Sequence, residues 1–286
     1  MISIKSLSGV TLQDIHDAFV NAFSDYVEPF NLSYEQLKYM IERRGFDLEL
    51  SFGAFNDDQL VGFTLNGIGS WNGELTAYDT GTGIIKEFRR KGIATNLFNE
   101  SLPILRENNI SQYLLEVIRT NKSAHELYRK AGFNVTREFD YFTSTKEKIS
   151  IDKNKMNNNY PIKEIKKPNW ELFKTFWDFI PSWQNSIDSI NRKSEYFIIL
   201  GLFDKDSVVG YGIIEKETGD IPQLSIDKRY RRNGLATTLF HNLLQYSETD
   251  KIKIINTPNT FFPFKNFAKS INLTAGFGQY EMLLKL

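Results

Sequence analysis

Glu87–Leu102 reads EFRRKGIATNLFNESL, and Arg229–Leu244 reads RYRRNGLATTLFHNLL. The two segments align without a gap and share two arginines, the glycine, the alanine, a threonine, two leucines and a phenylalanine. Each is preceded by an apolar run, LVGFTL from Leu60 and VVGYGI from Val208, and followed by an AGF, at Ala131–Phe133 and Ala275–Phe277. Their separation is half the length of the 286-residue chain. Many repeats of short period would mean a solenoid, whereas one repeat at half the chain means a duplicated domain.

Each copy carries a strand, a basic turn and a Gly-x-Ala step into a helix. In the first, Arg89, Arg90 and Lys91 precede Gly92 and Ala94. A helix start exposes unpaired N–H groups and the positive end of the helix dipole, which suits a phosphate. Small residues at 92 and 94 let ligand oxygens approach the backbone. One such turn would be an ordinary solvated turn, and its repetition makes it a candidate anion site. The adjoining GTGIIK, Gly81–Lys86, lacks the third glycine of a dinucleotide fingerprint and the GK[ST] of a P-loop.

Working outward, the first copy reads as strand Met1–Ser6, then helices Leu12–Phe23, capped by Thr11, and Tyr34–Arg44, with Ser33 and Gln36 as a capping box. Strands Leu48–Asn56, Gln59–Ser70 and Glu74–Ile85 follow, then helix Ile93–Asn108, strand Tyr113–Ile118, helix Lys122–Ala131 stopped by Gly132, and strand Asn134–Phe142. The order is βααβββαβαβ. Ser144–Pro161 is polar and rich in Asn and Lys, as linkers are, which predicts domains at 1–149 and 150–286.

Composition narrows the function. Thirty-five basic and 35 acidic side chains cancel, so no global field would hold nucleic acid or an anionic membrane, and an RNA or DNA binder using the basic turns is disfavoured. The absence of cysteine excludes disulfides, thiol nucleophiles and thiolate metal sites. His16, His125 and His241 stand alone, so no metal centre is expected. The start lacks a basic segment followed by a long apolar core. The longest apolar run, Tyr196–Leu202, is far shorter than the roughly 20 residues of a membrane helix, which predicts a cytoplasmic protein.

The loops Arg89-x-x-Gly92-x-Ala94 and Arg231-x-x-Gly234-x-Ala236, with the tract LLEVIRTNKSAHELYRKAGF at Leu114–Phe133, resemble the GNAT superfamily of acyl-CoA N-acyltransferases. The first copy is most similar to its ribosomal-protein N-terminal acetyltransferases. The resemblance implies an α/β fold of two tandem domains, each a mostly antiparallel mixed sheet with a splayed central parallel pair flanked by helices. It implies acetyl-CoA as cofactor and a small-molecule or peptide amine as acceptor, and sets no oligomeric state. The pantetheine arm would lie along Gly83, Ile84 and Ile85 as an added strand. The pyrophosphate would sit on Arg89, Arg90, Lys91, Gly92, Ile93, Ala94 and Thr95. Asn121 has two readings, a contact to pantetheine or an N-cap for the next helix.

The transfer needs an uncharged amine, a base for its proton and an acid for the leaving thiolate. Tyr128 matches the family's acid; its other reading is a packed aromatic. Glu116, a carboxylate in an apolar strand, matches the family's strand glutamate, and Asp79 in the preceding strand is the second candidate base. Each could instead be structural. Tyr26, Phe30, Trp71 and Tyr78 are the acceptor-wall residues the resemblance implies, with Tyr39 and Phe142 as further aromatics. In the second copy, Asn256 stands where Glu116 would be, and counting back from the AGF puts Asn272 where Tyr128 would be. The second copy is therefore expected not to catalyse, and to serve as a structural lobe or as a lobe that still binds CoA. The chain as a whole reads as an N-acetyltransferase active in its first half, or alternatively as a CoA-binding sensor or interaction module without chemistry.

Overall fold

The computed structural model describes residues 2–25 and 31–286. The chain forms two compact units, Met1–Arg137 with Tyr280–Leu286, and Glu138–Gln279. The first begins with β1 (Ile2–Ser6), α1 (Leu12–Phe23), α2 (Tyr34–Arg43), β2 (Phe46–Asn56), β3 (Gln59–Trp71) and β4 (Glu74–Ile84). It continues with α3 (Ile93–Glu107), β5 (Gln112–Ile118), α4 (Lys122–Lys130) and the start of β6 (Asn134–Thr145). This is the expected order. Thr11 caps α1, and Ser33 and Gln36 form the capping box on α2, satisfying N–H groups that would otherwise have no partner.

Strands β1 to β5 lie side by side in sequence order, antiparallel except for β4 and β5. That parallel pairing is short, joining Thr76–Asp79 to Gln112–Leu115. Beyond Asp79 the two strands part, and the gap is a fork. One irregularity bears on the site. Asn66 pairs with Asp79 while Leu65 pairs with Gly81, so Thr80 is an extra residue in β4. Strand side chains alternate between faces, and a bulge shifts that alternation by one. Asp79 and Thr82, three apart, consequently share a face. Helices cover both faces: a side chain at Gly83 would strike Ala22 of α1, and one at Gly62 would press on Ile93 of α3. Phe19, Phe63, Phe98, Tyr113 and Phe133 fill the core between them.

The second unit contains the end of β6 and then β7 (Ile162–Glu164), α5 (Trp170–Lys174), α6 (Ile187–Asn191), β8 (Phe197–Asp204), β9 (Ser207–Glu215) and β10 (Gln223–Ile226). It continues with α7 (Leu235–Leu243), β11 (Lys251–Pro258), α8 (Phe262–Ser270) and β12 (Thr274–Ala275). Strands β7 to β10 form one antiparallel sheet, and β11 pairs antiparallel with the end of β6. The β10 and β11 segments meet only upstream, at a parallel bridge between Asp220 and Lys253, and then part. The fork is thus duplicated along with the sequence.

The last strand, β13 (Gln279–Lys285), lies beside β5 in the first unit. Its Met282 is in the first core, Lys285 donates to Gln112 Oε1 at 2.7 Å, and Glu281 takes Arg137 Nε at 2.8 Å. Contacts divide the chain at Arg137/Glu138, inside β6, whereas composition marks the polar stretch after it. That stretch packs within the second unit, where Asn157 N–H donates to Thr238 Oγ1. Polar composition records solvation, and a division by contacts records pairing. Among the described residues no helix is long and apolar enough to cross a membrane.

Candidate active site

The turn between β4 and α3 has the geometry of an anion cradle. Arg90 and Gly92 adopt positive φ, 62° and 76°, and no side chain caps α3. A Cβ at Gly92 would meet nothing within 4 Å. The N–H groups of the first turn, at Ile93, Ala94 and Thr95, thus have neither an intrahelical partner nor a side-chain cap, and the space beside Gly92 is unfilled. Arg90 and Lys91 are exposed beside them.

Arg89 is placed differently from its neighbours. Its guanidinium donates to Ala22 O at 2.7 Å, Ile84 O at 3.2 Å and both carboxylate oxygens of Asp25 at 2.8 and 2.9 Å. The hydrogen bond from Arg89 holds the Asp25 carboxyl below its ordinary range. Arg89 ties the loop to the end of α1, so its charge is already matched by Asp25. The second copy repeats the arrangement: Arg231 donates to Phe176 O, Ile226 O and Asp178.

The edge of β4 facing the fork is open. Ile85 N–H bonds to Val61 O, and antiparallel alternation then turns Gly83 toward β3 and Thr82 and Ile84 toward the fork. Of the three expected edge residues, Ile84 faces the gap, while Gly83 and Ile85 are bonded to β3. Asn121 accepts from Ala124 N–H and caps α4, one of its two readings.

Asp79 and Tyr128 come together at the point where the sheet opens. The Tyr128 hydroxyl donates to Asp79 Oδ2 at 3.0 Å, and Thr82 Oγ1 donates to the same oxygen at 2.8 Å. Both side chains are more than nine-tenths buried. Desolvation raises the Asp79 carboxyl to about 6, against the opposing hydrogen bonds from Thr82 and Tyr128. A polar chain continues from Thr82 to Thr64 and then Tyr113, whose hydroxyl donates to Asn66 Oδ1 at 2.5 Å. Sequence reasoning missed this network. Its signal was the tyrosine inside the apolar YLLEVI.

Glu116 accepts from the Tyr78 hydroxyl at 3.1 Å. On β5 it alternates with Tyr113, which belongs to the Asp79 network, so Glu116 and Asp79 project from opposite faces of the sheet. Tyr78 is buried and its hydroxyl is pushed well above its ordinary range, first by desolvation and then by Glu116. The two candidate bases thus occupy different environments, Asp79 accepting from the Tyr128 hydroxyl and Glu116 from the Tyr78 hydroxyl.

Trp71 lies at the closed end of the parallel pair, under the Arg137 guanidinium at 5.7 Å from its ring centre, and its carbonyl accepts from Gln112. That position is remote from the fork because Trp71 faces Glu74 across the β3–β4 turn. Phe142 packs on Phe264 in the core of the second unit, because β6 has crossed into it. Tyr26 and Phe30 fall outside the described residues.

In the second unit Asn256 lies in a bulge of β11 with φ 59°. The residue in the place of Tyr128 is not Asn272. Phe133 N–H bonds to Tyr128 O at the end of α4, and Leu273 N–H bonds to Ala268 O at the end of α8. Ala268 is therefore the equivalent of Tyr128. Asn272, with positive φ like Gly132, follows the helix stop and donates to Lys148 O. The second AGF is displaced along the chain, which misleads an alignment counted back from it.

A pair of strands that fork before a glycine-opened helix lacking a side-chain cap, present twice, defines a tandem acetyltransferase-type fold. Family models agree: the acetyltransferase (GNAT) family matches residues 12–133, and an acetyltransferase (GNAT) domain matches residues 158–264. The chain belongs to the GNAT family, with two of its domains in tandem. The N-terminal region is similar to N-alpha-acetyltransferase 30 of Schizosaccharomyces pombe, 31% identical over 86 residues, which are 30% of this chain and 57% of that protein. Among solved structures, a tandem GNAT protein from the clavulanic acid biosynthesis pathway aligns with TM-score 0.75 at 11% identity, covering 100% of this chain and 98% of its own. A GCN5-related N-acetyltransferase from Sphaerobacter thermophilus aligns with TM-score 0.73 at 12% identity, covering 99% and 95%. At such identities the likeness is one of fold.

Proposed function

We propose that the first unit transfers an acetyl group from acetyl-CoA to a primary amine, small-molecule or peptide, by direct attack within a ternary complex. The observation that carries this reading is the buried Tyr128–Asp79 hydrogen bond at the mouth of the fork. The N–H groups at Ile93, Ala94 and Thr95 would hold the diphosphate, with Arg90 and Lys91 adding charge, and the outward edge at Thr82 and Ile84 would pair with the amides of the pantetheine arm. Open space at Gly92 fits that group. When bound, acetyl-CoA supplies the activated thioester.

Asp79, raised to about 6, is ionised near neutral pH and accepts the proton that the attacking amine gives up. Tyr128 holds a proton at its hydroxyl oxygen for the departing sulfur, and Asp79, already its hydrogen-bond partner, returns the amine's proton to it. The proton passes from amine to Asp79 to Tyr128, and the dyad ends as it began. Glu116, held by Tyr78 on the other face, would then orient the acceptor or the strand. Similarity to an N-alpha-acetyltransferase supports an α-amino group as one acceptor to try.

The test is release of free CoA from acetyl-CoA with a panel of peptides, amino acids, polyamines and aryl-alkyl amines. Turnover with at least one amine, lost on Tyr128→Phe and Asp79→Asn, is expected. No release above hydrolysis with any amine, alongside tight acetyl-CoA binding, would overturn the reading in favour of a binding module.

A further inference from the structure

We propose that the fork of the second unit is a binding site for an uncharged, amide-bearing small molecule with an apolar body and no diphosphate. The fork encloses a cavity of about 310 Å³, within the range of small-ligand pockets. Its walls are largely aromatic and aliphatic, with Trp177, Phe261 and Phe264 beside Ile221, Leu224 and Ile254.

Three of the polar side chains lining the cavity are amides, set in fixed orientations beside the hydroxyls of Tyr211, Ser225, Tyr230, Thr237 and Thr257. Gln223 accepts from Tyr211 and donates to Asn185 O, and Asn256 Nδ2 donates to Ser182 Oγ at 2.9 Å. Asn185 Nδ2 donates to Ile255 O, while its Oδ1 accepts nothing among the described residues. The strand edge adds a matched pair. Asp227 N–H bonds to Val209 O, so alternation turns the N–H and C=O of Leu224 away from β9 and toward the fork. One donor and one acceptor on the same edge residue are what an amide needs to pair as an added strand.

Two features argue against a charged ligand, although the exposed Arg232 is also among the lining residues. The one carboxylate lining the cavity, Asp178, is held by Arg231 at 2.9 Å and has no call on an ammonium. The chain itself crowds the anion seat at α7 on the Gly234 side, while Leu235, Ala236 and Thr237 still line the cavity. A Cβ on Gly234 would lie 2.1 Å from the Lys155 carbonyl oxygen, where Gly92 in the first unit faces open space. Asn157 N–H donates to Thr238 Oγ1 at 2.8 Å, fastening that segment over the helix start. A backbone carbonyl there meets the partial positive charge that a phosphate would otherwise meet. With Asn256 and Ala268 in the places of the first unit's strand carboxylate and tyrosine, no side chain in these positions moves a proton. The site binds without reacting.

The test uses the full chain and N-acetylphenethylamine, phenethylamine and CoA, titrated calorimetrically against wild type, Leu224→Glu and Ala236→Phe. N-acetylphenethylamine is expected to fill one site that both variants weaken at least tenfold, with phenethylamine at least tenfold weaker there and the CoA isotherm unchanged by either variant. Amide binding that survives in both variants, an amine bound equally well at the variant-sensitive site, or a CoA site lost with the variants would overturn the proposal, as would no amide binding at millimolar concentration. Circular dichroism reports whether each variant folds. If neither does, isoleucine methyl spectra of the wild type decide: shifts at Ile221 and Ile254 on adding the amide support the site, and shifts confined to the first unit overturn it.

Discussion

The hydroxyl of Tyr128 on α4 donates to Oδ2 of Asp79 on β4 at 3.0 Å, bridging helix and strand at the residue where the parallel pairing ends. The proposed base must be ionised, and its carboxyl stands at about 6. Activity should therefore fall as pH drops through about 6, with a single-proton slope in kcat/KM. Asp79→Asn should lose roughly 10²–10⁴-fold in turnover, the usual worth of a positioned proton carrier. A pH profile in Glu116→Gln that keeps the same limb would confirm which carboxylate it reports, and a limb that vanishes there would move the role to Glu116.

The same burial makes Asp79 costly to the fold. Its folded value, about 6, lies above its ordinary 3.8, so the folded state binds the proton more tightly. The stability this gives is full below the ordinary carboxylate range and is lost as pH rises through about 6. Asp79→Asn should thus be more stable than wild type at pH 7.5, by up to about 3 kcal/mol, and show little advantage near pH 4. Urea unfolding at both pH values checks this, and a gain independent of pH would contradict the burial argument.

Arg89 and Asp25 form a staple, and a staple fails whichever end is cut. Arg89→Gln and Asp25→Asn should both raise the KM for acetyl-CoA several-fold with kcat little changed. If Arg89 touched the diphosphate directly, only Arg89→Gln would do so. Steady-state kinetics on the two single variants separates the roles.

Gly92 and Gly234 share the same positive φ in different surroundings. Gly92→Ala meets only the left-handed strain, about 1–2 kcal/mol, because nothing lies within reach of its Cβ. Gly234→Ala must in addition push back the Lys155 carbonyl, so thermal melts should show a clearly larger loss. Gly92→Glu should abolish acetyl-CoA binding by native mass spectrometry, since it sets a carboxylate where the diphosphate would lie.

Residues 280–286 complete the first unit. Tyr280 packs at a tilt against His125 of α4, ring centres 5.2 Å apart, and Leu284 lies beside Gly132 where that helix stops. A fragment of residues 1–149 lacks this strand and should be poorly folded and inactive by circular dichroism and turnover. Glu281→Gln in the full chain leaves the Arg137 guanidinium without its buried partner and should cost about 3 kcal/mol in unfolding free energy. A stable, active fragment would show that β13 is dispensable.

Much of this was legible in the residues alone. The duplicated loop announced two domains, and hydrophobic periodicity with caps at Thr11 and Ser33 placed the helices and strands of the first unit close to where they lie. Local chemistry sufficed because period, capping and turn residues act over a few positions. Tertiary structure alone decided which carboxylate meets Tyr128. Simple alternation would put Asp79 and Thr82 on opposite faces, and the bulge at Thr80 reverses that by lodging one extra residue against β3. The place of Ala268, the covering of Gly234 by Lys155 and the insertion of β13 beside β5 were equally hidden. Each depends on pairing between segments far apart in the chain, and a sequence pattern fixes which face a residue can present without fixing the strand or loop it will meet.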